Sequence, residues 1–370
     1  MLGLLFPILA ACGSSKIEET AGAPPEPPAD VATTAVADVA PSAPTPAVAP
    51  SPKPDGELTL SAVGDCTLAD PYGSDKAPGS FHRMFDDTGG DLARPFSGVH
   101  DILASDDLTI ANFEGTLGTH AGRTDVAFAF RGRPAFASML PAGSVELVNL
   151  ANNHSGDCGP LGVVDTQKAL EDAGVGWFGL GKVDVRTVRG IEVVNLGYTG
   201  GREEVKGQVQ ADVRRYKKPG NLVLVSFHWG IEGSHAINSV QINLGHAAID
   251  AGADLVIGTH PHVLQGIEEY KGKKILYSLG NFVFGGNARP GEWESMIYRT
   301  RFALEDGVIT RVAEDELIPV QVSGSRTQND FRPVVLEGEL KEKVLANVAK
   351  YSASIGRGSK HKTATAERSH

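Results

Sequence analysis

No apolar run in these 370 residues is long enough to span a bilayer. Basic residues are in the minority, 34 Lys and Arg against 45 Asp and Glu, for a net charge of −11. That balance argues against a nucleic-acid partner and against a polybasic membrane-binding surface. Internal repeats are missing. Cysteine is scarce, with Cys12, Cys66 and Cys158 the three present. Aromatic residues are absent from residues 17–56, a stretch rich in Ala, Pro, Thr, Val and Ser. Such a segment cannot bury enough apolar surface to fold, and residues 13–56 are expected to behave as a semi-rigid tether. The polar, basic residues 356–370 are expected to be disordered. Between them the composition is globular, 41% hydrophobic and 21% charged over the whole chain, and residues 57–355 can hold one large core.

That central region alternates strand and helix signals. Leu58–Val63, Leu108–Ala111, Val145–Leu150, Ile191–Leu196, Leu222–Phe227, Asp254–Ile257 and Lys274–Leu279 are short apolar or alternating runs that predict strands. Helices are expected over Pro160–Asp172, with Pro in the first turn and Gly174 beyond the end, over 239–251, closed by Gly252, and within 335–355. Ile297–Val322 predicts a β-hairpin or meander turning at Glu305-Asp306-Gly307.

Polar residues collect where these strands end. The clearest case is Gly258-Thr259-His260-Pro261-His262, two imidazoles directly after an apolar strand. Other strand ends deliver Asp65, Glu114, Asn153 with His154, and His228. Each alone has an ordinary structural explanation: a turn Asp, a capping Asn, a hydrogen-bonded core imidazole. Together, at the edge where open α/β sheets build their sites, they form a mixed oxygen and nitrogen donor set. Asp65, Glu114, Asn153, His228, His260 and His262 suit one or two divalent ions, Mn, Fe or Zn. Glu114 has one oxygen for each of two ions. His154 is free for acid–base work, with Asp157 three residues on to orient it. Arg131 and Arg133 in Phe130-Arg131-Gly132-Arg133-Pro134 are expected, with Asn112, to meet substrate, the arginines through its carboxylate or phosphate. For Cys66 and Cys158 three readings stand: a disulfide, a metal-ligand role for Cys66, or two unpaired buried thiols.

The set Gly64-Asp65, Asn112-Phe113-Glu114, Ala151-Asn152-Asn153-His154-Ser155-Gly156-Asp157, His228-Trp229-Gly230-Ile231-Glu232, Gly258 to Gln265 and Tyr277 to Phe284 resembles the CapA family of bacterial capsule and poly-γ-glutamate synthesis proteins. The resemblance runs from about Leu58 to Phe284 in the family's motif order. It implies the fold of calcineurin-like metallophosphoesterases, a sandwich of two mixed β-sheets flanked by helices around a two-metal site. Asp65 then matches the first-motif Asp, Glu114 replaces the bridging Asp, Asn153 matches the amide ligand and His154 the catalytic histidine. Those phosphoesterases carry Asp-x-His in the first motif. Here Thr67 stands at the histidine's place, so one metal position lacks a nitrogen ligand.

Residues Met1 to Ala11 are nearly all apolar, and Leu9-Ala10-Ala11-Cys12 resembles a lipoprotein lipobox, although no Lys or Arg precedes it. The resemblance implies lipidation at Cys12 and an envelope-anchored domain held clear of the membrane by the tether. Three functions fit this reading: synthesis, export or tethering of an anionic polymer such as poly-γ-glutamate, together with other capsule-synthesis proteins; metal-dependent hydrolysis of phosphoesters or polymer amides; and non-catalytic polymer binding. Metal content separates the last two.

Overall fold

The computed structural model describes residues 56–119 and 128–355. The expected signal segment with Cys12, the tether as far as residue 55 and the tail 356–370 lie outside the described residues.

The two-sheet sandwich is present. In the first sheet Glu57–Thr67 is central, parallel to Leu108–Phe113, which is parallel to Leu147–Asn149 and then Gly176–Phe178. On its other side it pairs antiparallel with Glu294–Glu305, which turns into Val308–Arg311 and also pairs with Glu316–Gln321. The second sheet has Asn221–His228 between Leu255–Thr259 and Ile191–Thr199, all parallel. Antiparallel hairpins close its edges, Ile267–Tyr270 on Lys273–Leu276 and Asp184–Val188 on Ile191–Thr199.

Strand side chains alternate between faces, and each face finds a partner. Leu58, Leu60, Ala62, Leu108 and Ile110 of the first sheet meet Val193, Leu222, Leu224, Leu255 and Ile257 of the second in one buried layer. Val63, Cys66, Ala111 and Phe113 face the opposite way, into a core with Phe96, Phe136 and Leu170. Val194, Val223, Val225 and Val256 pack under the helices Lys206–Tyr216 and Ser239–Ala251 through Val209, Val213, Leu244 and Ala248. The second of these helices starts on a reciprocal cap: Asn238 accepts from the Gln241 backbone N–H, and the Gln241 side chain accepts from that of Asn238.

Several expectations shift. The strand expected over Lys274–Leu279 is Lys273–Leu276, because the chain leaves the second sheet there and joins the first as Asn281–Phe284, parallel to Glu57–Thr67. This crossing is tight. A Cβ on Gly64 would collide with the Gly280 carbonyl oxygen, the same oxygen that accepts from Asp65 N at 2.9 Å. Glycine at 64 therefore lets Asn281 lie directly opposite Asp65. The strand expected over Val145–Leu150 is Leu147–Asn149. Lys206–Tyr216 is a further helix, too polar to stand out in the sequence because it buries Val209 and Val213 alone.

Candidate metal centre

Every strand end named from the sequence delivers to one place. Asp65 lies on Glu57–Thr67, Glu114 follows Leu108–Phe113, and Asn153 and His154 follow Leu147–Asn149. His228 ends its strand, and His260 and His262 follow Leu255–Thr259. Within each sheet these strands run parallel to one another, so their carboxyl ends share an edge. The two sheets contribute from opposite sides.

Around the His228 Nε2 atom, Asn153 Oδ1 lies at 2.6 Å, His260 Nδ1 at 3.0 Å and Glu114 Oε1 at 3.6 Å. On the other side of Glu114, its Oε1 lies 3.7 Å from His262 Nε2, while His262 Nδ1 is 3.4 Å from Asp65 Oδ2. Two of the donor groups contain Glu114, one with Asn153, His228 and His260, the other with Asp65 and His262.

Both Glu114 carboxylate oxygens are fully buried and have no hydrogen-bond donor. Leaving a charged group so placed costs several kcal/mol, so the site calls for a cation. The titration behaviour of the neighbours agrees. Burial holds the Glu114 carboxyl well above its ordinary range, opposed by the charge of His262. Burial pushes His228 well down and His260 down, which keeps both as the neutral imidazoles that metal binding requires. His262 is the exception. Burial works to lower it, but Glu114 and Asp65 hold its pKa at about 10. A proton on His262 thus supplies the positive charge in the metal-free site. Burial works to raise Asp65, yet His262, His228 and the Asn112 amide keep it below its usual value. His260 and His262 adopt φ of 98° and 58°, left-handed backbone that a non-glycine residue avoids. Strain of this kind concentrates at functional sites. Donor chemistry, orphaned carboxylate and strain all fit a pair of borderline divalent ions.

His154 stands at the rim. Its Nδ1 lies 2.8 Å from Asp157 Oδ2, and its Nε2 points inward, 3.8 Å from Glu114 Oε1. Asp157 also accepts from the Phe130 backbone N–H at 2.6 Å, and the Phe130 ring lies 4.7 Å from the imidazole.

Of the residues expected to meet substrate, Asn112 touches the cluster and the two arginines line a different cavity. Asn112 is buried, its Nδ2 donating to Asp65 Oδ1 at 2.8 Å and its Oδ1 accepting from Asn149 at 3.2 Å. Its amide braces Asp65, and its Nδ2 also lies 3.3 Å from His228 Nδ1. Arg131 and Arg133 line a cavity of about 290 Å³ with Tyr72, Asp75, His82 and Thr119, none of them a donor of the cluster. Arg131 lies over the Tyr72 ring at 4.5 Å, and Arg133 makes a two-pronged ion pair with Asp86 at 2.6 Å for each contact. Cys66 and Cys158 are both free and buried. Cys66 follows Asp65 on a strand, so it faces the opposite side, into the helical layer. Burial pushes its thiol up to about 12, which disfavours the thiolate a metal would need. The disulfide and ligand readings therefore fall, and the third stands.

Two residues escaped assignment. Asn281 Oδ1 lies 2.9 Å from His262 Nδ1, and Thr259 Oγ1 lies 3.2 Å from His228 Nδ1. Both orient a ring so that its other nitrogen faces Glu114. The signal for Asn281 was present in the sequence: like the other donors it is a polar residue at a point where an apolar run breaks on glycine.

Fold and donors together define a two-sheet α/β sandwich with a mixed oxygen and nitrogen donor set at the sheet edge. Within that class the chain belongs to the family described as "Bacterial capsule synthesis protein PGA_cap", which it matches over residues 59–286. It is similar to the PGA biosynthesis protein CapA of Bacillus subtilis (strain 168), 32% identical over 213 residues, covering 51% of this chain and 56% of that one. The capsule biosynthesis protein CapA of Bacillus anthracis is 30% identical over 277 residues, 65% of this chain and 63% of the relative. A probable polyglutamine synthesis accessory protein of Mycobacterium tuberculosis (strain ATCC 25618 / H37Rv) is 28% identical over 260 residues, 60% and 68% of the two chains. The match thus spans somewhat over half the length of the two Bacillus relatives. The solved structure of TT1561 of Thermus thermophilus overlays at a TM-score of 0.34 with 10% identity, over 69% of this chain and 98% of that one, a likeness too loose to carry an argument.

Proposed function

We propose that this protein acts at a bacterial cell envelope in the synthesis, export or tethering of an anionic capsular polymer such as poly-γ-glutamate, through a centre of two divalent ions. The observation that carries the centre is Glu114, a buried carboxylate with no donor, ringed by three imidazoles at 3.6 to 3.8 Å. The polymer class comes from the family and from the names of its curated relatives. Asn153, His228 and His260 with Glu114 would hold one ion, and Asp65 and His262 with Glu114 the other. Such ions supply a Lewis acid and a bound hydroxide at neutral pH. His154, kept in place by Asp157, is the group that moves a proton at its Nε2 atom. In the cavity lined by Arg131 and Arg133, a carboxylate of the polymer would meet Arg133 once its pair with Asp86 opens. That exposed pair is worth about 1 kcal/mol or less, so a polyanion can displace it. The test is complementation. In a strain lacking its own CapA relative, this chain should restore surface poly-γ-glutamate, and unchanged polymer levels with the protein present would count against the reading.

A metal-dependent hydrolase is the second reading, favoured by the inward Nε2 of His154. Hydrolysis would act on phosphoesters or on the polymer's own amide bonds.

The anchor belongs to the same proposal. With Leu9-Ala10-Ala11-Cys12 read as a lipobox, Cys12→Ser should move the protein from the membrane fraction to the soluble fraction and abolish lipid labelling. Fractionation and labelling identical to the parent would remove the lipid anchor from the account.

A further inference from the structure

The turn after His228 carries a carboxylate that the centre described above leaves without a task. Trp229 is fully buried, stacked on Phe227 with ring centroids 4.4 Å apart, and its Nε1 donates to the Tyr277 carbonyl at 2.8 Å. The chain then reverses through Gly230 and Gly233, at φ of 93° and 70°. Gly233 N donates at 2.8 Å to the carbonyl of Pro261, the residue between the two histidines. A Cβ on Gly230 would stand 3.1 Å from the Pro261 ring. The turn is therefore fixed to the double-histidine loop. Glu232 lies between the two glycines. It is exposed, yet a carboxylate oxygen of Glu232 and a ring nitrogen of each of His260 and His262 all lie within 4.8 Å of one another.

We propose that Glu232 is a metal ligand delivered from the solvent side, completing the position formed by Asp65, Glu114 and His262. The inference rests on the two-ion reading and deepens it. Donor count is the first argument. The position around His228 has four protein donors, while the other has three, and borderline ions take at least four. Thr67, where a phosphoesterase would place a histidine, brings no nitrogen donor. A carboxylate oxygen of Glu232 comes within 4.8 Å of a ring nitrogen of His262, which belongs to this position, and of one of His260, which belongs to the position already holding four donors. Charge is the second argument. Two dications face two buried carboxylates, and a third brings the centre closer to neutrality. The completed position is rich in oxygen and suits Mn, whereas the position with two imidazoles and an amide suits Zn or Fe.

Glu232→Gln keeps the side-chain size and removes the anionic donor. The full chain, purified free of metal, is titrated with MnCl2 and followed by the electron paramagnetic resonance of free Mn. A parallel titration with CoCl2 reads the ligand field in the visible spectrum. The wild type should take up two equivalents. In the variant one equivalent should bind as before and the other about tenfold more weakly or worse, with an altered Co spectrum and an unchanged melting temperature of the metal-free protein. Wild-type affinities and an unchanged Co spectrum in Glu232→Gln would overturn the role of Glu232 and leave the centre standing. A wild type that binds neither Mn nor Co would overturn the two-ion reading, and this inference with it.

Discussion

Replacing His260 and His262 together by Ala should abolish the metal-dependent rise in melting temperature expected of the wild type. In the proposed two-ion centre the two imidazoles serve different ions, His260 beside His228 at 3.0 Å and His262 beside Glu114 at 3.7 Å, so the double variant would damage both positions. A ligand that binds only the native state stabilises it by about 2.7 kcal/mol at a hundred times its dissociation constant. At about 2–4 °C per kcal/mol, that is a shift of several degrees in the wild type and none in the variant. The metal-free variant should still unfold cooperatively, because both residues lie on a loop outside the three main cores. Proton release provides a second readout. His262 without metal stands at about 10, so at neutral pH it holds a proton that metal binding must displace. Metal affinity should therefore rise as pH is raised through neutrality toward 10, and uptake should release protons measurable in unbuffered solution. Equal melting shifts in wild type and variant would remove these histidines from the centre.

The second large effect is on turnover. His154→Ala should leave metal content near that of the wild type, because the nearest metal-facing atom, Glu114 Oε1, is 3.8 Å from His154 Nε2 and the remaining donors are untouched. General acid–base help is typically worth about 10²–10⁴ in rate, so polymer formation in complementation, or hydrolysis where a substrate is found, should fall to near background. Asp157→Asn should do less. It weakens the 2.8 Å contact that sets the ring while leaving the imidazole in place. Loss of metal along with activity would make His154 a ligand, and undiminished polymer formation would make it structural.

Much of this was legible in the chain, for a physical reason. Buried parallel strands must be continuous apolar runs, so Leu222–Phe227 and Asp254–Ile257 declare themselves, and polar residues where such runs stop have few other purposes. That logic located Asp65, Glu114, Asn153, His228, His260 and His262. It could not separate residues that face the centre from those that brace it. Asn112 sits on an apolar strand end like the others, and only the fold shows its amide consumed by Asp65 and Asn149. Pairing between distant segments was also invisible. Asn281 becomes a neighbour of Asp65 because the chain changes sheets at Gly280, and Arg133 meets Asp86 from 47 residues away. Cys66 and Cys158 shared strand-end signals with the donors, yet the alternation of strand side chains sends Cys66 to the opposite face.

The most direct test is metal stoichiometry. Purified wild-type protein, stripped of metal and equilibrated with Mn or Zn, should hold two ions per chain by elemental analysis, and Glu114→Gln should hold markedly fewer because it removes the shared carboxylate. Wild-type protein that retains no divalent ion under reducing conditions would contradict the account, leaving a fold of this class that binds polymer without a metal centre.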